Sequence, residues 1–214
     1  MDNEFGQACS YNNINPKILG FYAGEINILD IGCSTGILAK KLKALNSQAR
    51  IVGIDLVPLP KDNENSLDDF FIVDLDDQKL PKFDNKFDLI VLGDVLEHLK
   101  RPDIILKNLK ELLASHGRII ISVPNIAQIK IRLKLLLGNF DYQDYGIMDR
   151  THLKFFTQKT IKNLIIQAGY QIEREEFIFS KKLSFMGWVL RGSLLNIFYR
   201  LFSGQFIFKI RPSQ

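Results

Sequence analysis

At 214 residues, with 46% hydrophobic and 24% charged residues, the chain can bury one substantial core and does not belong with disordered or fibrous sequences. Its formal charge of +4 is mildly basic, too little by itself to require a nucleic acid or a membrane as partner. Cys9 and Cys33 are too few to staple a secreted scaffold, and the opening MDNEFGQACSYNN is polar and acidic with no apolar signal segment, so a mature chain in a reducing cytoplasm is expected.

Short β-branched runs alternate with helical patterns through the first two thirds of the chain, the mark of βαβ units forming a parallel sheet. Strands are predicted at residues 26 to 31, 51 to 55, 70 to 73, 87 to 92 and 118 to 123. The first leads through a tight turn into a helix with apolar residues at 37, 38, 42 and 45. VPLPKDNENSLDD reads as a loop between the second and third strands. Residues 102 to 114 open with Pro102 and predict an amphipathic helix ending near Gly117.

After Pro124-Asn125 comes IAQIKIRLKLLLG, in which Lys130, Arg132 and Lys134 alternate with apolar residues at a period that reads as a strand. The connection that follows, NFDYQDYGIMDRTHLKFF, is long enough to be functional. Thr157 is the expected N-cap of a helix to Ala168, with Gly169 closing it. Strands are predicted again at 171 to 179 and 205 to 210, around an apolar stretch at 183 to 202. Arg191 sits near the middle of that stretch and costs about 2.5 to 3.5 kcal/mol in a bilayer, so spanning is not expected. Its aromatics Phe185, Trp188, Phe198 and Tyr199 are candidates for contact with a membrane surface or for completing the core. One domain over 1–214 is expected, with 125–156 and 180–204 as insertions around an acceptor site, and no repeats or linkers.

The turn Asp30-Ile31-Gly32-Cys33-Ser34-Thr35-Gly36 lies between a buried strand and a helix, where the amides of such folds face a ligand crevice. A dinucleotide fits poorly: the spacing is G-x-S-x-G, and Asp30 would set a carboxylate beside a pyrophosphate. S-adenosylmethionine fits better, since the turn amides can bind its carboxylate and Asp30 can receive its ammonium. Asp55, Asp74 and Asp94 follow at or just past successive strand ends. Asp55 is placed for the ribose hydroxyls and Asp74 for the adenine amino group. Taken singly, each is also an ordinary cap or loop residue.

Through ILDIGCSTG, GIDLVP, VDLDD, FDLIVLGDVLEHLKRP and GRIIISVPN the chain resembles the class I methyltransferases, in the small-molecule branch of the ubiquinone-biosynthesis O-methyltransferases. Serine at Ser34, where the family more often has glycine, is a tolerated departure. The resemblance implies a doubly wound, mostly parallel seven-stranded α/β sheet whose last strand, QFIFKIR, is antiparallel. It implies that Asp30, Gly32, Ser34, Gly36, Asp55, Asp74 and Asp94 surround the cofactor, with Leu56 and Leu75 flanking the adenine; Cys33 shares the same turn. It also implies a helix for the Lys130 to Leu135 stretch.

The second half is similar to a subgroup found in bacterial surface-polysaccharide clusters, which suggests a sugar or lipid-linked glycan as methyl acceptor. A hydroxyl acceptor must lose a proton. His152, in Asp149-Arg150-Thr151-His152, is the preferred general base, because histidine titrates near neutrality and its loop is expected to reach over the cofactor. His98, in DVLEHL, is the rival, although cofactor packing suits it better. A metal on Glu97 and His98 needs a third ligand that the sequence does not reveal, and none is expected. Two other readings stand beside this one: a module that binds the cofactor without transfer, and a nucleic-acid methyltransferase. The latter is weakened because the fourth strand ends in Gly93-Asp94-Val95-Leu96 and not in the Asn/Asp-Pro-Pro-aromatic motif; no nucleic-acid partner is expected.

Overall fold

The computed structural model of the protein describes residues 16–60, 66–77, 79–179 and 193–213. In chain order these form α1 (Pro16–Leu19), β1 (Asn27–Ile31), α2 (Ile37–Leu45), β2 (Arg50–Asp55), β3 (Asp69–Ile72), β4 (Phe87–Gly93), α3 (Pro102–Leu109), β5 (Leu113–Pro124), α4 (Ile129–Leu136), α5 (Gln158–Gln167), β6 (Tyr170–Ile178), α6 (Ser193–Phe202) and β7 (Gln205–Pro212). The strands make one seven-stranded sheet in the order β3-β2-β1-β4-β5-β7-β6. The first five are mutually parallel, and β7 runs antiparallel to both neighbours. The expected doubly wound sheet is therefore present.

Burial on both faces explains why the central strands are apolar throughout. In β1, Leu29 and Ile31 join the cluster that includes Ile105 and Leu106 of α3 and Ile161 and Ile165 of α5. Ile28 points the other way, into a cluster with Leu38, Ala39 and Leu42 of α2 and Ile18 of α1. Strand order reverses between β1 and β4, which opens a crevice at their carboxyl ends.

The expected helix over 102 to 114 is shorter. α3 stops at Leu109, a 3₁₀ turn covers Lys110–Leu112, and Leu113 already pairs with Phe87 before a bulge in the β4–β5 ladder. Gly117 is thus a strand residue and not a helix terminator; a Cβ there would come within 2.7 Å of the Phe87 carbonyl. The alternating stretch at 129 to 136 is a helix, not a strand, and none of its residues is buried. Its period of two therefore records no sheet face. Phe198 is not exposed as a membrane contact requires: it is 5% exposed and stacks on Phe179 and Phe202, while Tyr199 stacks on Phe177. Phe185 and Trp188 lie outside the described residues. Among the described residues no helix is long and apolar enough to cross a membrane.

Tyr170 is fully buried, and its hydroxyl donates to the Leu106 carbonyl of α3 at 2.7 Å, tying β6 to the helix layer. Tyr170→Phe is expected to lower unfolding free energy by roughly 1 to 3 kcal/mol in urea titrations, because it strands a buried carbonyl.

Candidate functional site

The crevice beside β1 and β4 holds a cavity of about 370 Å³, within the range of small-molecule sites. Its walls come from the β1–α2 turn (Asp30, Gly32, Cys33, Ser34, Ile37, Leu38), from the end of β4 (Gly93, Asp94, Glu97, His98) and from the long loop (Tyr145, Gly146, Ile147, Asp149, His152). The structure thus collects Asp30, Gly32, Cys33, Ser34, Asp94, His98 and His152 around one space. Gly36, Asp55, Leu56, Asp74 and Leu75 do not line it.

Asp30 is 3% exposed, and its Oδ2 has no partner among the described residues. Burial, reinforced by the negative charge of Asp55, pushes its carboxyl up to about 8. Neighbouring Cys33 is a buried thiol raised by burial and then by Asp30 and Asp55, which makes it an inert wall residue.

The turn itself departs from expectation. The amides of Gly32 and Cys33 donate to the Ile54 carbonyl at 2.8 and 3.2 Å, that of Ser34 to Asp55 Oδ2 at 2.7 Å, and that of Gly36 to the Cys33 carbonyl at 2.8 Å. These four donors are spent on folding the turn and do not await an anion. Ile37 and Leu38, the first residues of α2, also line the cavity, and helix geometry leaves their amides without an intrahelical acceptor. Gly32, at φ 71°, is required on two counts, since a Cβ would also lie 2.5 Å from Val95.

Asp55 acts here as a brace: its second oxygen accepts from the Val57 amide at 3.1 Å. Each carboxylate oxygen retains a further lone pair. Asp74 caps the 3₁₀ turn Leu75–Asp77 through the Asp76 amide at 2.8 Å, the ordinary capping role; Leu75 is a core residue and Leu56 is exposed.

At the β4 end, Asp94 adopts φ 56° and is held by Ser122 Oγ at 2.9 Å and by Gln205 Nε2 at 2.6 and 2.7 Å. Burial raises its pKa even against those bonds. Gln205 enters from β7, and nothing local in the sequence announces it. Glu97, which the sequence offers only beside His98 as a metal donor, is fully buried, with both carboxyl oxygens unpartnered among the described residues and its pKa well above the usual range through burial.

Glu97 also seats the loop. Its backbone carbonyl accepts the Leu153 and Lys154 amides at 2.8 and 2.9 Å, which sets His152 against His98, ring centroids 4.8 Å apart. Asp149 Oδ1 holds Thr151 through its amide at 2.8 Å and its hydroxyl at 2.7 Å, and Thr151 meets His98 Nδ1. His152 Nδ1 lies 3.2 Å from the Ile147 carbonyl. A carbonyl only accepts, so the neutral ring carries its hydrogen there and its lone pair on Nε2. Burial, then His152, lowers the His98 pKa. His152 also supplies the third donor that the sequence does not reveal: Glu97, His98 and His152 bring one donor atom each within 4.8 Å of one another, a grouping that could hold a metal ion.

A methyltransferase-domain family model matches residues 12–175. Over 135 residues the chain is 28% identical to the ubiquinone biosynthesis O-methyltransferase of Pasteurella multocida, covering 53% of the chain and 55% of that protein. The chain spans about half the length of the curated relatives it matches. Among solved structures, an S-adenosylmethionine-dependent methyltransferase from Archaeoglobus fulgidus superposes with a TM-score of 0.58 at 16% identity, covering 97% of this chain and 93% of that one. The N-methyltransferase NodS of Bradyrhizobium japonicum, solved with S-adenosylhomocysteine, gives 0.56 at 15%, covering 90% and 80%. At such identities the structural likenesses establish the fold.

Asp30 supplies a stability test. Its folded pKa lies above the unfolded value of 3.8, so the native state holds the extra proton and the stabilisation is complete below about 3.8. It is lost as pH rises through about 8. Urea midpoints of the ligand-free protein are expected to fall between pH 5 and pH 8, and Asp30→Asn to flatten that fall; an equally steep decline in the variant refutes the assignment.

Proposed function

The chain belongs to the methyltransferase-domain family, and from that premise we propose that it is an S-adenosylmethionine-dependent enzyme that methylates a hydroxyl group of a small molecule. The observation that carries this reading is the unpartnered, buried Asp30 carboxyl beside the open first amides of α2, on one cavity. An amino-acid end bears an ammonium and a carboxylate close together, and this pair of groups meets both charges. The residues therefore fit the cofactor: Asp30 for the ammonium, Ile37 and Leu38 amides for the carboxylate, Asp55 for the ribose hydroxyls. Asp74, Leu56 and Leu75 are proposed for the adenine, and Asp94, Gly32, Cys33 and Ser34 for the wall nearest the reacting centre.

Bound there, the cofactor supplies a methyl group on a positively charged sulfur that departs as a neutral thioether. What remains for the chain is to align the acceptor and take its proton. His152 presents Nε2 for that proton while Ile147 fixes the ring through Nδ1. His98 packs edge-on against it, and burial lowers its pKa, which disfavours a second positive charge beside His152. The narrower acceptor suggested by the second half of the sequence, a sugar or lipid-linked glycan, is the first class to screen, in keeping with the small-molecule O-methyltransferases among the relatives.

Calorimetric titration with S-adenosylmethionine and S-adenosylhomocysteine is the direct test, with micromolar binding of both expected and NADH as the negative control. Asp55→Ala is expected to weaken binding by about 1.5 to 3 kcal/mol. Because burial pushes the Asp30 carboxyl up to about 8 in the ligand-free protein, uptake of the ammonium near pH 7 is expected to expel a proton, so the heat varies with the ionisation enthalpy of the buffer. Absence of binding by any adenosyl ligand defeats the proposal.

His152→Ala is expected to leave cofactor affinity nearly unchanged and to slow transfer by roughly 10² to 10⁴. Full activity in this variant removes the base assignment; activity abolished by a chelator and restored by a divalent cation moves Glu97, His98 and His152 from proton transfer to metal binding.

A further inference from the structure

α4, α5 and α6 converge on a second cavity, of about 480 Å³, whose lining includes Asn125, Arg132, Thr157, Lys159, Lys162 and Arg200 and no carboxylate. The three helices together carry Lys130, Arg132, Lys134, Lys159, Lys162 and Arg200 and not one acidic residue, in a chain with 24 of them. Lys162 is paired with Glu175. Among the described residues Arg132, Lys159 and Arg200 enter no ion pair, although all three line the same concavity. The cavity also meets the start of α5, where the Gln158 and Lys159 amides have no intrahelical acceptor.

Glu175 answers Lys162 alone; the remaining cations repel one another, and the concave shape focuses their field on whatever anion enters. Three unpaired cations match a diphosphate better than a carboxylate or a single neutral sugar. The neighbourhood points the same way. Pro124 lines the first cavity, and the next residue, Asn125, lines the second. Asn125 is fully buried, and its Nδ2 donates to the Arg200 and Ser203 carbonyls at 3.0 and 2.9 Å. Its own amide donates to the Gly204 carbonyl at 2.9 Å, and Gly204 lines the first cavity. One clamped residue therefore separates a site with a proton acceptor from a site with unpaired cations.

We propose that the cavity between α4, α5 and α6 binds the diphosphate group of the methyl acceptor. Anion binding stands on the cavity alone; the identification of its occupant as the acceptor rests on the methyl-transfer reading. A diphosphate reaches this chain on a sugar nucleotide or on a polyprenyl lipid, and both present the same group to Arg132, Lys159 and Arg200.

Inorganic pyrophosphate titrated into the wild-type chain at low salt is expected to bind and to weaken as salt is raised. The triple variant Arg132→Gln, Lys159→Gln, Arg200→Gln is expected to bind it at least tenfold more weakly, with S-adenosylhomocysteine affinity unchanged as the control for folding. The single variant Lys159→Gln, at an exposed position, is expected to weaken it about threefold and guards against misfolding of the triple. No pyrophosphate binding by the wild type, or equal binding by the triple variant, overturns the proposal. Loss of S-adenosylhomocysteine binding in the wild type, with the pyrophosphate pattern intact, sinks the methyltransferase reading and leaves the anion site standing. Uridine diphosphate glucose and geranyl diphosphate are then competed against pyrophosphate: the stronger competitor identifies the source, and displacement by neither refutes the occupant as an acceptor.

Discussion

A carboxyl group held dry at the end of a parallel strand is the constraint on which the site depends. Asp30 is carried there by β1, whose flanking residues are buried on both faces, so it cannot turn toward water without disturbing the sheet. Its desolvation is tolerated because the group keeps its proton in the ligand-free protein. The turn after it then closes on itself, spending four backbone donors on Ile54, Asp55 and Cys33. The result is a rim whose unmet groups include the Asp30 carboxyl, the Thr35 hydroxyl and the start of a helix.

Much of the sheet was legible because its strands are buried on both faces, which writes unbroken apolar runs into the sequence. β1, β2, β4 and the end of β5 fall where those runs fall. Edges were harder. α3 gives way to strand at Leu113, which pairs with Phe87, a relation between distant residues that no local pattern encodes. α4 misled the period argument because no face of it is buried, and periodicity speaks only of burial.

The site shows the same division. Residues in the β1–α2 turn were recognisable from spacing, but the reason they are there was partly misread: the amides expected to hold an anion are occupied by the turn itself. Asp94 was visible as a strand-end acid, whereas its anchor Gln205 comes from the last strand and could be found only in three dimensions. His98 and His152 were weighed as rivals from separate segments. In the folded chain they are neighbours, and Glu97 between them is the buried carboxyl that neither segment alone would single out.

The way Glu97 grips the loop reaches beyond this one molecule. Its carbonyl takes the Leu153 and Lys154 amides, so His152 is held from behind by those backbone bonds and from in front by the Ile147 and Asp149 carbonyls. Residues 132 to 146, which lead up to it, are exposed throughout. Within that arm, residues 133 to 142 line neither cavity, so they can change under selection for new partners while the reacting end stays registered. A fold arranged in this manner can diversify what it accepts without reinventing how it reacts.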